Sequence, residues 1–264
     1  MNSPFQLSVC AEMLWPDKPM AWRCAFLHER GFGVGLWSHK KWDVAELSRL
    51  KGRYSIMNGY LQGRLSDDDG AQLLLESVQQ TIKIAKRLHV EKLNLHGTGL
   101  DASGLPIPQQ ASYHPRMWLK ARDTLERICD LGEQEQVTFT LENLNKRDHP
   151  GCPFSTSAEV LELVSVVNRP QLRINLDLYH TQLGEGDVIR WIEACLPWLG
   201  EVQIADNPGR CEPGTGEMHY PNIARALYDL GYHGAVGLNN RSFLDAVIAG
   251  AFAGSCSAST TIQP

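Results

Sequence analysis

Four polar side chains with oxygen atoms lie on four successive predicted strands in the second half of the chain: Glu142, Asp177 and Asn239 end their strands, and Gln203 lies within its strand. Two carboxylates and two amide oxygens are hard ligands, which suit Mg²⁺ or Mn²⁺ better than a metal that prefers thiolates. The two carboxylates would repel each other in a partly dry pocket unless a divalent cation balanced them. One polar strand end predicts only a solvated edge, but four on consecutive strands favour a shared metal site.

Three further side chains are candidates for contact with a substrate. His180 follows Asp177 by three residues, Arg210 lies in a long polar loop, and His96 ends an earlier apolar run. An arginine in such a loop could hold an anionic or hydroxylated substrate. We therefore predict that His96, His180 and Arg210 bind the substrate beside the metal site.

The elements that must position these residues alternate between strand and helix. Between the apolar runs lie helical patterns such as 70–88, whose apolar residues recur at three- and four-residue steps. Thr156 and Glu159 resemble a capping box, and Pro221 and Gly231 suit the start and end of a helix. The eight apolar runs are 6–11, 33–37, 54–57, 91–96, 137–142, 172–177, 200–205 and 234–238.

Eight such repeats in one chain predict an α/β fold, a single (β/α)₈ TIM barrel over residues 1–264. A doubly wound open sheet is the alternative, but it usually carries a glycine-rich fingerprint after its first strand, and residues 10–13 read CAEM. In a barrel, the carboxyl ends of the strands meet at one rim, where active sites lie. The barrel therefore predicts that the four strand-end residues converge.

Composition narrows the classes of partner. The net charge is −5 and no long basic block is present, which argues against nucleic acid. No apolar run approaches the roughly 18 residues that cross a bilayer, and no basic segment precedes the first apolar run as in a signal peptide. The 7 cysteines are scattered, odd in number and without CxxC spacing, which favours free thiols in the cytoplasm. We expect a cytoplasmic enzyme acting on a small molecule, with a homo-oligomer as an open alternative to a monomer.

Several segments resemble the hydroxypyruvate isomerase family, which belongs to the wider xylose isomerase-like barrels. They are LSVCAEMLW, LENLNKRDHPG, NLDLYHTQ and QIADNPGRCEPGTGEMHYP, and the resemblance runs from about residue 6 to residue 238. It implies a (β/α)₈ barrel with a divalent metal held by Glu, Asp, Gln and Glu from strands 5 to 8. It also implies aldose–ketose isomerisation of a small hydroxy-carbonyl compound through an enediolate.

Carried onto this chain, the resemblance assigns the first three metal ligands to Glu142, Asp177 and Gln203. It assigns substrate contacts to His180 and Arg210. It implies that the loop after Gln203 folds over the substrate. A glutamate on strand 5 and one on strand 8 flank the substrate in the family, so Glu142 and position 239 are the predicted catalytic pair.

The chain departs from the family at position 239. The family has a glutamate there, and this chain has Asn239, which can offer an amide oxygen but carries no charge and cannot act as a base near neutral pH. The following segment, 240–264, is rich in Ser, Thr and Ala and lacks the charged outer face of a final barrel helix. Either the protein has diverged here, or the sequence from about residue 239 onward is altered, for example by a frame change; we favour the second interpretation.

Two other functions remain open. A ketose 3-epimerase of the same superfamily would use the same barrel and ligands, although Gln203 in place of a histidine weakly favours the isomerase. A catalytically silent ligand-binding barrel would follow from the loss of the strand-8 carboxylate. A related DNA-repair nuclease is disfavoured, because the net charge is acidic and too few His, Asp and Glu positions are present for a metal cluster.

Overall fold

Eight parallel strands close into a barrel in which every strand pairs with its sequence neighbours and β8 pairs with β1. The computed structural model describes residues 3–108 and 114–240 of the chain. The strands are β1 Gln6–Cys10, β2 Gly33–Leu36, β3 Tyr54–Asn58, β4 Lys92–Leu95, β5 Thr138–Glu142, β6 Leu172–Asp177, β7 Leu199–Ile204 and β8 Ala235–Leu238. The predicted TIM barrel is confirmed, and the open-sheet alternative is wrong because β8 hydrogen-bonds to β1.

The predicted last strand ends one residue early. Asn239 follows β8 instead of ending it, although its backbone N–H still donates to Ile204 O at 3.0 Å. All but the first residue of the atypical 240–264 segment lies outside the described residues.

Helices cover the outside of the barrel. They are α1 Met20–Glu29, α2 Val44–Leu47, α3 Asp68–Leu88, α4 Pro115–Glu135, α5 Ser157–Val167, α6 Leu178–Gly184, α7 Val188–Cys195 and α8 Tyr220–Asp229. Asp67 caps α3 by accepting from Gly70 N, and Thr156 and Glu159 form the predicted capping box of α5. Within the described ranges, no helix is both long and apolar enough to span a membrane.

The late strands alternate between an apolar outer face and a polar inner face, as the two-residue period of a strand requires. Leu141, Leu176 and Val202 are fully buried in the apolar core. Their neighbours point into the barrel and are also buried: Thr140, Glu142, Asn175, Asp177, Glu201 and Gln203. The barrel interior is therefore a stack of polar side chains that must satisfy one another or a ligand.

Candidate active site

A pocket opens at the rim formed by the carboxyl ends of the strands, with a volume of about 650 Å³ including its open mouth. That size suits a small-molecule site. The predicted site residues that line it are His96, Glu142, His180, Gln203, Arg210 and Asn239. Asp177 is the exception, because its side chain lies just behind this surface and is 0% exposed.

Glu142 is held by a set of donors that sequence reasoning missed. Its Oε2 accepts hydrogen bonds from Asn94 Nδ2 and, at 3.2 Å, from Asn175 Nδ2, and it lies 3.2 Å from His96 Nε2. Burial by itself raises the pKa of Glu142, but the nearby charges of His96 and Arg210 and the hydrogen bonds outweigh it, so the pKa lies below its usual value. Glu142 is thus kept ionised in a buried position, with its Oε2 held by neighbouring donors and its side chain lining the pocket.

Asp177 joins the end of β6 to the start of α6. Its Oδ1 caps the helix by accepting from Tyr179 N at 2.9 Å, and its Oδ2 accepts from Arg210 Nη2 at 2.8 Å. Burial raises the pKa of Asp177 to about 6; Arg210 opposes this rise, and the charge of Glu142 adds to it. Two buried carboxylates therefore share one site, and a single arginine is in contact with only one of them.

The donor set fits a divalent cation. Ligand atoms of Glu142, Asp177 and His180 lie within 4.8 Å of one another. Asn239 Nδ2 donates to Gln203 Oε1 at 2.8 Å, while the buried Asn239 Oδ1 has no hydrogen-bond partner among the described residues. An orphaned amide oxygen in the pocket that Glu142 also lines is a suitable additional ligand for Mg²⁺ or Mn²⁺.

His180 belongs to this cluster by distance, but its hydrogen bonds argue against a metal ligand. Asn145 Oδ1 accepts from the backbone N–H groups of Arg147 and Asp148, so its Nδ2 must be the atom that lies 2.6 Å from His180 Nδ1. His180 Nδ1 is then an acceptor. Burial, helped by the Arg210 charge, lowers the pKa of His180 well below its usual value, so the ring is neutral and its single proton is on Nε2.

Arg210 Nη1 lies 3.3 Å from that protonated His180 Nε2, so two donors face each other. A substrate oxygen placed between the two groups would accept from both. The Arg210 Nε donates to Asn239 O at 2.9 Å, which ties the guanidinium to the end of β8. This arrangement suits the predicted role of both residues in contacting a substrate.

The polar loop after β7 is ordered around one buried carboxylate. Asp206 Oδ1 accepts from Asn207 N at 2.9 Å and from Met218 N at 3.0 Å, and Oδ2 accepts from Gly214 N at 2.8 Å. These bonds draw both ends of the loop together and hold Arg210 over the pocket. The loop requires a glycine at position 216, because a Cβ there would lie 1.9 Å from Asn207 O.

Asp206→Asn is expected to lower the free energy of unfolding by about 1–3 kcal/mol, because one of the three backbone donors then faces an NH₂ group. Urea unfolding of the purified protein measures this change. Glu217→Gln is the matched control, since Glu217 is exposed in the same loop and accepts only from Gln182 Nε2 at 3.3 Å. Equal stability of the two variants would mean that Asp206 does not organise the loop.

The residues that sequence reasoning missed are amides and acids inside the barrel. Asn94, Asn175 and Glu201 each occupy the middle of a strand, two residues before a predicted site residue. A strand period of two places them on the same inner face as His96, Asp177 and Gln203. That spacing is the signal that could have found them.

Residues 43–245 match the family model described as xylose isomerase-like TIM barrel, and the chain belongs to that family. It is similar to the hydroxypyruvate isomerase of Escherichia coli K12, with 35% identity over 115 residues, which make up 44% of this chain and 45% of that protein. It is also similar to the 2-oxo-tetronate isomerase of Cupriavidus necator, with 34% identity over 119 residues, 45% of this chain and 46% of that protein. Each match thus spans about half of the curated relative.

Among solved structures, the chain is similar to one described as AP endonuclease, family 2, from Brucella melitensis. The TM-score is 0.79 and the identity 25%, over 89% of this chain and 93% of that one.

Proposed function

We propose that the protein is a metal-dependent isomerase that interconverts a small hydroxy-aldehyde and hydroxy-ketone, of the hydroxypyruvate and tartronate semialdehyde class or a short sugar acid. The observation that carries this proposal is the pair of buried carboxylates, Glu142 and Asp177, on neighbouring strands beneath the donors of His180 and Arg210. The similarity to two isomerases of small hydroxy-keto acids supports it.

Glu142, Asp177, Gln203 and Asn239 would hold the cation. When bound, Mg²⁺ or Mn²⁺ supplies positive charge that stabilises negative charge on the carbonyl and hydroxyl oxygens of the substrate. Asn239 contributes an oxygen without charge, so this set has one carboxylate fewer than the Glu, Asp, Gln and Glu set of the family.

Glu142 would move the proton. Its Oε2 accepts from Asn94 and Asn175 and lies beside His96, which hold the carboxylate in place to take a proton from one substrate carbon and return it to the neighbouring carbon. Arg210 and His180 would orient the substrate by donating to its carboxylate or hydroxyl oxygens. With Asn239 in place of a second carboxylate, proton transfer in both directions falls to Glu142 alone.

The alternatives predict different behaviour. A ketose 3-epimerase would need a neutral ketose as its preferred substrate, whereas Arg210 and the neutral His180 favour an anionic one. A nuclease is disfavoured because the net charge of −5 repels a polyanion. In addition, within the described ranges one group of three His, Cys, Asp or Glu side chains comes close enough to hold a cation, and the hydrogen bonds of its His180 argue against a metal ligand.

The test is a turnover assay of the purified protein with Mn²⁺ and with a chelator, on hydroxypyruvate, tartronate semialdehyde, tetruloses and pentuloses. We expect Mn²⁺-dependent interconversion of the three-carbon acids or a short sugar acid. Inversion at the third carbon of a ketose would assign the epimerase instead. Binding without turnover of any compound would assign a silent ligand-binding barrel.

A further inference from the structure

Glu201 is a buried acid in the barrel interior to which the proposed chemistry gives no role. It lies in β7 two residues before Gln203, on the same inner face, and it is 0% exposed. Its side chain also lines the pocket, below the rim. A fully buried carboxyl group in this position needs partners.

The two oxygens of Glu201 have different surroundings, although neither has a hydrogen-bond partner within residues 3–108 and 114–240. Oε2 lies 3.6 Å from Nζ of Lys92 in β4, which forms an ion pair with it. Oε1 has no such ion pair and is an acceptor that the described chain leaves unmatched.

That acceptor points to a space created by a glycine. Gly237 in β8 pairs with Ser8 on one side and Gln203 on the other. A Cβ at position 237 would lie 2.9 Å from Glu201 Oε1, 3.2 Å from Ser8 Oγ and 3.6 Å from Gln203 Cγ. Two polar oxygens therefore converge on the volume that any other residue would fill, and this volume belongs to the pocket.

We propose that Ser8, Glu201 and Gly237 form a floor subsite that binds a terminal hydroxyl group of the substrate. A hydroxyl group there donates its proton to Glu201 Oε1 and accepts a hydrogen bond from Ser8 Oγ. The absence of a side chain at Gly237 leaves room for it. This inference rests on the proposed function, because it supplies the orientation of that substrate in the same pocket.

The two ends of the pocket then select two ends of the substrate. Arg210 and His180 at the rim present donors, which suit a carboxylate. The floor subsite presents a carboxyl oxygen, which suits a hydroxyl donor and repels a second carboxylate. The favoured substrate class is therefore a short sugar acid of four or more carbons, with its carboxylate at the rim and its terminal hydroxyl, which takes no part in the isomerisation, toward the barrel floor.

Two inert ligands that differ by one terminal hydroxyl test this assignment: glycerate and lactate. Calorimetric titration in buffer with Mn²⁺ is expected to show tighter binding of glycerate, on the order of tenfold, as for one added hydrogen bond in a buried site. Gly237→Ala, which fills the space, and Ser8→Ala, which removes one partner, should each reduce that preference towards unity. Glu201→Gln keeps the shape of the side chain and should weaken the preference, because its amide oxygen faces Lys92 and its NH₂ group then takes the place of the acceptor.

Gly99→Ala is the matched control, because a Cβ there meets ordinary contacts, with Gly63 O and Ile107 Cδ1 both at 3.4 Å, and Gly99 lies outside the pocket lining. It should retain the wild-type preference, and circular dichroism verifies that all variants are folded. Equal affinity of the wild type for both ligands, no measurable binding of glycerate, or an unchanged preference in folded Ser8→Ala and Gly237→Ala would overturn the floor subsite.

This result is separable from the proposed function, since the titration needs no turnover. A preference that the variants abolish in a protein without isomerase activity would keep the subsite and reject the isomerase. Isomerase activity with no preference for the terminal hydroxyl would keep the isomerase and reject the subsite.

Discussion

Asn239→Glu is expected to raise isomerase turnover by on the order of a hundredfold or more, since a positioned acid or base contributes roughly 10²–10⁴-fold. The substitution supplies a third carboxylate next to the cation and a second group that can carry the proton. It should also tighten Mn²⁺ binding, because a charged oxygen replaces the neutral Oδ1 that has no hydrogen-bond partner among the described residues.

The contact with Gln203 adds a further expectation. Asn239 Nδ2 now donates to Gln203 Oε1 at 2.8 Å, whereas a carboxylate would set two acceptors against each other. In the presence of a chelator, the Asn239→Glu variant should therefore unfold at a lower temperature than the wild type. With Mn²⁺ the order should reverse, because a cation between the two oxygens removes the repulsion.

Two control variants separate charge from length. Asn239→Asp adds the charge at the present length, and Asn239→Gln adds the length without the charge. We expect Asn239→Glu to exceed both in turnover, and Asn239→Asp to exceed Asn239→Gln in Mn²⁺ affinity. If a folded Asn239→Glu variant leaves both turnover and Mn²⁺ affinity unchanged, then residue 239 does not act at the site and the alignment of strand 8 is wrong.

The strands and the family were predictable because they depend on local patterns. Each predicted strand end lies within one residue of the observed one, since apolar runs bounded by polar loops define strands in a fully covered parallel sheet. The convergence of Glu142 and Asp177 also followed from the sequence. Once the barrel is assigned, the ends of consecutive strands are neighbours by topology.

What escaped sequence reasoning depends on side-chain geometry across the barrel. Asn94 is 48 residues from Glu142 in the chain, and nothing local indicates that its amide donates to that carboxylate. The tautomer of His180 depends on Asn145, whose own orientation is fixed by two backbone donors. The sequence pattern places Glu201 within an apolar run, because the apolar residues of the outer face define the strand. It does not indicate that the Glu201 side chain faces the pocket.

Glu142→Gln and Asp177→Asn should both lower Mn²⁺ affinity, and by more than the roughly 10–100-fold that loss of an outer partner costs. Each removes a charged hard ligand, but the structure predicts different further effects. In Glu142→Gln, the amide oxygen must take the Oε2 position to accept from Asn175 and His96. The NH₂ group then faces the pocket and cannot accept a proton, so turnover should fall by roughly 10²–10⁴-fold with the substrate contacts of Arg210 intact.

In Asp177→Asn, the side-chain oxygen must remain at the Oδ1 position to cap α6 through Tyr179 N. The NH₂ group then occupies the Oδ2 position and faces Arg210 Nη2, which now donates to that oxygen at 2.8 Å. Two donors at this distance repel each other, so Arg210 should move away from its place over the pocket. We therefore expect Asp177→Asn to raise KM as well as to weaken metal binding, whereas Glu142→Gln changes kcat with little effect on KM.

Calorimetric Mn²⁺ titration and steady-state kinetics separate the two patterns, with Asp187→Asn as the control for loss of one exposed charge. Unchanged Mn²⁺ affinity in either site variant would place the cation elsewhere, and an unchanged KM in Asp177→Asn would show that Arg210 does not depend on this carboxylate for its position.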